Sequence, residues 1–139
     1  MIYLLYASTA IKEYTKPELD DLVSKGREYN IKHGITSMML YDKGNLIQML
    51  EGQEKSVREL YEKISRDLHH HEIIKITEGL LAERAFGDMP MGFLNLEDEE
   101  VRANPNFIKI MNHPLFDSES NPECVACLDI LRGFMVDLE

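Results

Sequence analysis

Residues 34–52 read GITSMMLYDKGNLIQMLEG. Ile35 to Tyr41 is an apolar run with Ile, Thr and Tyr, which suit a strand, and Leu46 to Leu50 is a second such run. Asp42-Lys43-Gly44-Asn45 between them is a tight turn, so the stretch reads as a β-hairpin. One residue disturbs the pattern. Gln48 stands in mid-strand, on the face it shares with Leu46 and Leu50. A side-chain amide carries two donor protons and an acceptor oxygen. Buried without partners, such a group costs about 1–3 kcal/mol. Either Gln48 is solvated, or the core holds something polar for it to meet.

Working outward, Ile2 to Ala7 is a short apolar and aromatic strand, and Ser8 to Tyr14 reads as a loop. Thr15 caps a helix, with Glu18 as its capping-box partner and Pro17 in the first turn. Leu19, Leu22, Val23 and Gly26 form the helix stripe, and Gly34 ends it. After the hairpin, Val57, Leu60, Tyr61 and Ile64 mark a second amphipathic helix. Ile73 to Thr77 is a fourth strand and Met91 to Leu96 a candidate fifth. The order βαββαβ predicts an α+β, ferredoxin-like fold: an antiparallel sheet with both helices on one face and the first and third strands side by side at its centre. The acidic run Glu97 to Glu100 follows, then two expected helices, Asn106 to Asn112 and Glu123 to Leu138. Residues 1–96 are thus read as one domain and 97–139 as a helical extension for output or oligomerisation. Cys124, Cys127, Leu128, Leu131 and Met135 share one face of the last helix, which must cover the free side of the sheet or another chain.

The composition narrows the function classes. A chain of 139 residues is the size of one domain with a real core. The formal net charge of -10 repels phosphate backbones and argues against nucleic acid as a general partner. No apolar run approaches the ~18 residues of a membrane span. MIYLLYAS lacks the basic flank of a signal peptide and reads better as a strand, so a cytoplasmic protein is expected. No metal site is expected. His69-His70-His71 splay apart on any regular element, and the Cys124–Cys127 pair lies in an apolar helical context with no further ligands nearby.

Three polar residues fall on faces that a core would keep apolar: Gln48, Asn30 on the stripe of the first helix, and Tyr6 on the strand face of Ile2 and Leu4. Each has an ordinary explanation: a strand Gln facing solvent, an Asn capping its helix, a Tyr packing with its hydroxyl at an edge. Together they suit a ligand with a polar heterocyclic edge held between the two helices. A small acylphosphatase-like hydrolase on the same fold would need an arginine and a nest of amides in the first loop, and Ser8 to Tyr14 has neither Arg nor Gly. A pure interaction module that keeps the ferredoxin-like fold and binds no such ligand is the other alternative.

LLYAS at residues 4–8, YNIKHGITSMMLY at 29–41, GNLIQMLEG at 44–52, VRELYEKISRDLHH at 57–70 and ERAFGDMPMGF at 83–93 together resemble the BLUF domain, a flavin-based blue-light sensor. The resemblance covers residues 1 to 96. It implies that Tyr6 is the photochemical electron and proton donor, that Gln48 is the switching glutamine and that Met91 contacts it. It implies that Asn30 holds the pyrimidine edge of the ring and that Leu22 and Ile64 sandwich it; Tyr29 occupies a position often held by His or Asn and stands beside the ring if it points inward. Lys63, Asp67 and His70 would contact the rest of the cofactor, FAD with FMN as the alternative. Lys63 and Asp67 are also spaced as an ordinary surface pair on a helix. The chain departs from the family where Met89 replaces the usual Trp, where Lys63 replaces an Arg, and where Ser37 replaces a usual Gly. The expected function is a non-enzymatic photoreceptor. The tail is too short for an effector domain, so output is expected through a separate effector protein or a homo-oligomer.

Overall fold

The structure, a computed structural model, describes residues 1–67, 70–84 and 90–95, with the backbone alone for His70, His71 and Leu94. In chain order the elements are β1 (Ile2–Ala10), α1 (Lys16–His33), β2 (Thr36–Asp42), β3 (Asn45–Gly52), α2 (Glu54–Ser65), β4 (His70–Leu80) and β5 (Gly92–Asn95). The strands form one sheet in the order β4-β1-β3-β2-β5. This is the expected ferredoxin-like arrangement with one strand added at an edge. The two expected C-terminal helices, and Met89 with the cysteine pair, lie outside the described residues.

Local chemistry sets the ends of α1. The Thr15 hydroxyl accepts from the Glu18 N–H at 3.3 Å, and the Glu18 carboxylate accepts from the Thr15 N–H at 3.0 Å. The helix closes at Gly34, whose φ of 65° is left-handed and whose N–H returns to the Asn30 carbonyl. In the hairpin Asp42 pairs with Asn45, which leaves Lys43 and Gly44 as a two-residue turn. Both have positive φ, 48° and 84°, the conformation whose twist matches that of the flanking strands.

Three expectations need correction. β1 continues through Ala10, so Ser8 to Ala10 is strand and not loop. Ser8 and Thr9 are held on both sides, by Leu46 and Asn45 of β3 and by Ile73 and Glu72 of β4. β4 spans 11 residues and not only Ile73 to Thr77. Its polar ends hid it: His70, His71 and Glu72 before the isoleucine run and Glu78 after it interrupt the apolar pattern without breaking the ladder. β5 runs parallel to β2, so the sheet is mixed and not wholly antiparallel.

The pleat sorts the side chains. Tyr6 stands directly opposite Gln48, and Gln48 opposite Met39, so all three share the helix-covered face. Beneath α2, Val57 and Leu60 pack with Ile2, Leu4, Tyr6 and Leu50. Beneath α1, Leu19 and Val23 pack with Met39, Tyr41, Leu46 and Met91. The helix-side core is thus two apolar clusters, with Gln48 and Asn30 between them. Leu5, Met38, Leu40, Ile47 and Met49 on the opposite face are buried as well.

Candidate functional site

A cavity of about 310 Å³ opens between α1 and α2, over β1 and β3. That lies at the small end of the range of about 300–1,000 Å³ usual for ligand pockets. Tyr6 and Gln48 form its floor, Leu22 and Asn30 come from α1, and Ile64 from α2. Met91 closes it from the residue preceding β5. Helix periodicity places Leu22 and Asn30, eight residues apart, along one side of α1.

The polar groups on the floor are buried and joined. Tyr6, Gln48 and Asn30 are 3%, 3% and 1% exposed. The Tyr6 hydroxyl donates to Gln48 Oε1 in a short hydrogen bond. Gln48 Nε2 donates to Ser37 Oγ at 3.3 Å. Asn30 Nδ2 donates to the same oxygen at 3.2 Å and to the Pro90 carbonyl at 2.6 Å. The question posed by Gln48 is thereby answered: it is buried and meets a phenol on one side and a hydroxyl on the other. Burial, and then the nearby Tyr61 and Asp67, push the Tyr6 phenol well above its ordinary ionisation range, so it stays neutral and keeps its proton to donate. The Tyr61 ring meets the Tyr6 ring edge-on at 5.7 Å.

Lys63 and Asp67 are exposed and line the mouth of the cavity, as does Lys25, which the sequence reading did not single out. The Lys63 ammonium sits 4.6 Å from the centroid of the Tyr29 ring, and Tyr29 stacks on His33 at 3.9 Å. Tyr29 therefore lines the cavity while its ring is also engaged by a cation and an imidazole. His70 opens β4, and its side chain lies outside the described residues.

Two further contacts bear on Met91. Arg27 Nε donates to its carbonyl at 3.0 Å, tying the approach to β5 to α1. Gly26 gives its side chain room: a Cβ there would stand 2.5 Å from Met91 Cε. Gly26 was legible only as a helix-stripe residue, because the partner that requires a glycine is remote in the chain.

The cavity suits a largely apolar ligand with a polar edge. Its walls are aliphatic, its floor presents a carboxamide and a phenol, and cations stand at its mouth. The first loop that a phosphate-binding hydrolase would need is instead strand through Ala10.

Residues 1–92 match the family described as BLUF, sensors of blue-light using FAD. The blue light- and temperature-regulated antirepressor BluF of Escherichia coli (strain K12) is 26% identical over 97 residues, which are 70% of this chain and 24% of that protein. The photoactivated adenylate cyclase subunit alpha of Euglena gracilis is 28% identical over 105 residues, 76% of this chain and 10% of that protein. The chain thus spans a quarter or less of the length of these curated relatives. Among solved structures, the dark state of BlrB, a BLUF protein, superposes with a TM-score of 0.66 at 27% identity and covers 95% of each chain. A bacterial light-regulated adenylyl cyclase gives 0.68 at 26% identity over 81% of this chain and 34% of that one. The match over most of the chain, on a fold that carries a buried Tyr–Gln pair beneath a cleft between two helices, makes this chain a member of the BLUF family of flavin-based blue-light sensors.

Proposed function

We propose that Tyr6 and Gln48 are the photochemical pair of this sensor and that the cavity between α1 and α2 holds the flavin ring. The observation that carries this reading is the buried Tyr6–Gln48 hydrogen bond at the floor of that cavity. Leu22 and Ile64 flank the ring, and Asn30 holds its polar edge. Both Asn30 amide protons are engaged with Ser37 and Pro90, which leaves its carbonyl oxygen to accept from an imide N–H. Lys63 and Lys25 at the mouth suit the phosphoryl groups of a flavin nucleotide, and Asp67, Tyr29 and His70 complete the outer contacts. FAD is the proposed cofactor and FMN the alternative; chromatography of the flavin released from purified protein separates them.

A bound flavin supplies blue-light absorption and an excited state oxidising enough to draw an electron from a phenol. Once its electron is withdrawn, Tyr6 becomes strongly acidic, and Gln48 Oε1, already its acceptor, takes the proton. When the electron returns, Tyr6 recovers a proton and Gln48 is left turned or tautomerised. To end turned, Gln48 would give back the proton it took and rotate; to end tautomerised, it would keep that proton on Oε1 and give Tyr6 one from Nε2. An amide suits this because it both donates and accepts. Rearranging one buried hydrogen bond is worth about 1 kcal/mol, more in a dry pocket. Met91, whose flexible thioether repacks at low cost, passes the change to β5.

In this reading the chain is a cytoplasmic sensor and not an enzyme, and it acts on a separate effector protein or through a second copy of itself. In the relatives named as an antirepressor and a cyclase, the matched segment is a minority of the protein, so most of each lies outside the sensor-like segment. The test is the absorption spectrum before and after blue light. A reversible red shift that Tyr6→Phe and Gln48→Leu abolish supports the assignment. A protein that cannot be loaded with flavin, or a shift that survives both substitutions, refutes it.

A further inference from the structure

Ser37 lies on β2 and is fully buried. Its hydroxyl has one proton to give and two lone pairs to receive. All three are used. The oxygen accepts from Gln48 Nε2 at 3.3 Å and from Asn30 Nδ2 at 3.2 Å, and the proton goes to the Pro90 carbonyl at 3.1 Å. Ser37 therefore joins β3, α1 and the segment leading into β5 through a single atom. A glycine at this position has no atom that could do so.

That saturation has a consequence for Gln48. With the carboxamide oxygen turned to Tyr6, its nitrogen faces Ser37 and donates. If the carboxamide reverses, its nitrogen faces Tyr6 and its oxygen faces Ser37. Two acceptors then confront each other, an arrangement that a buried site does not tolerate without a proton between them. The only proton Ser37 can supply is its hydroxyl proton, now donated to the Pro90 carbonyl. The hydroxyl cannot serve both oxygens.

Resting on the Tyr6–Gln48 assignment above, we propose that Ser37 is a positioning residue that reads the orientation of Gln48. Its hydroxyl donates to the Pro90 carbonyl in one orientation and swings to donate to Gln48 Oε1 in the other, releasing one of the two donors among the described residues that hold Pro90. No covalent bond changes; one hydroxyl rotates. Pro90 keeps its bond from Asn30 in both states, so the segment before β5 is loosened and not set free.

The Pro90–Met91 peptide is the one Pro-Met bond in the chain. Carbonyl-13C proline with 15N methionine therefore gives a single carbonyl–nitrogen correlation in NMR, and its carbonyl shift reports the hydrogen bonding of Pro90. In the flavin-loaded full chain, blue light should displace this signal reversibly. In Ser37→Ala and Ser37→Gly the reversible red shift of the flavin should persist while the displacement is lost. The glycine variant guards against a folding defect in the alanine one. An equal displacement in both variants overturns the proposal. So does a wild-type signal that does not move while the red shift occurs, which would mean that Gln48 changes without presenting a proton-free oxygen to Ser37. A wild-type protein that shows no red shift defeats the photochemical assignment itself, an outcome separable from the other two.

Discussion

Removing the Tyr6 hydroxyl and the Gln48 carboxamide, singly and together, tests the core of this site without light. Tyr6→Phe leaves Gln48 Oε1 buried without the donor it has in the wild type. An orphaned buried polar group costs about 1–3 kcal/mol. Gln48→Leu orphans the Tyr6 hydroxyl instead, at a similar cost, and takes from Ser37 only one of its three partners. The double variant removes both partners and fills the space with apolar groups of similar shape, which is close to neutral for the pair. The two single losses therefore should not add. The expected coupling is about 1–3 kcal/mol, well above the ~0.3–0.5 kcal/mol scatter of independent sites. Urea unfolding without added flavin measures it free of ligand linkage. With a slope of about 2 kcal/mol per M, a 2 kcal/mol loss moves the midpoint by ~1 M. Each single variant should show a fall of this order, and the double variant should be no worse than the poorer single. A double variant that loses the sum of both would refute the claim that these groups satisfy each other.

Other consequences can be checked independently. Thr15→Ala removes one arm of the α1 capping box and should cost ~1 kcal/mol in urea unfolding, while Thr15→Ser should cost less. Burial raises the Tyr6 phenol above its ordinary value of 10.0, so the folded chain holds a proton that the unfolded chain releases. The stability this contributes is complete below pH 10.0 and declines as pH rises above it; Tyr6→Phe should flatten that decline in unfolding midpoints measured across the alkaline range. Gly26→Ala should gain ~0.8–1.0 kcal/mol in helix propensity. It must also push the Met91 methyl group aside, at ~0.5–1.5 kcal/mol. The midpoint should hardly move, and the change should appear in the thermal recovery rate after illumination; a loss of more than ~2 kcal/mol would mean that Met91 cannot yield.

Much of the frame was legible because its signals are local. The Thr15–Glu18 box, Gly34 at the helix end and the Lys43-Gly44 turn each follow from residues within a few positions of one another. Where the reading fell short, the missing information was remote. Ser8 to Ala10 is strand because neighbours on both sides hold it, and the polar ends of β4 carry no apolar alternation to betray it. The parallel pairing of β5 with β2 leaves no mark in either segment alone.

The candidate site divides in the same way. The sequence alone determined that Tyr6, Asn30 and Gln48 sit on faces a core would keep apolar, because side-chain direction follows from strand and helix periods. Only the tertiary structure decided what those polar groups meet. Register put Tyr6 opposite Gln48, and the packing of α1 and of the residues before β5 brought Asn30 and the Pro90 carbonyl onto Ser37. A hydrogen bond forms between whichever groups the backbone brings within about 3 Å. That distance is set by how sheet and helices close on each other, which a position in the chain does not record.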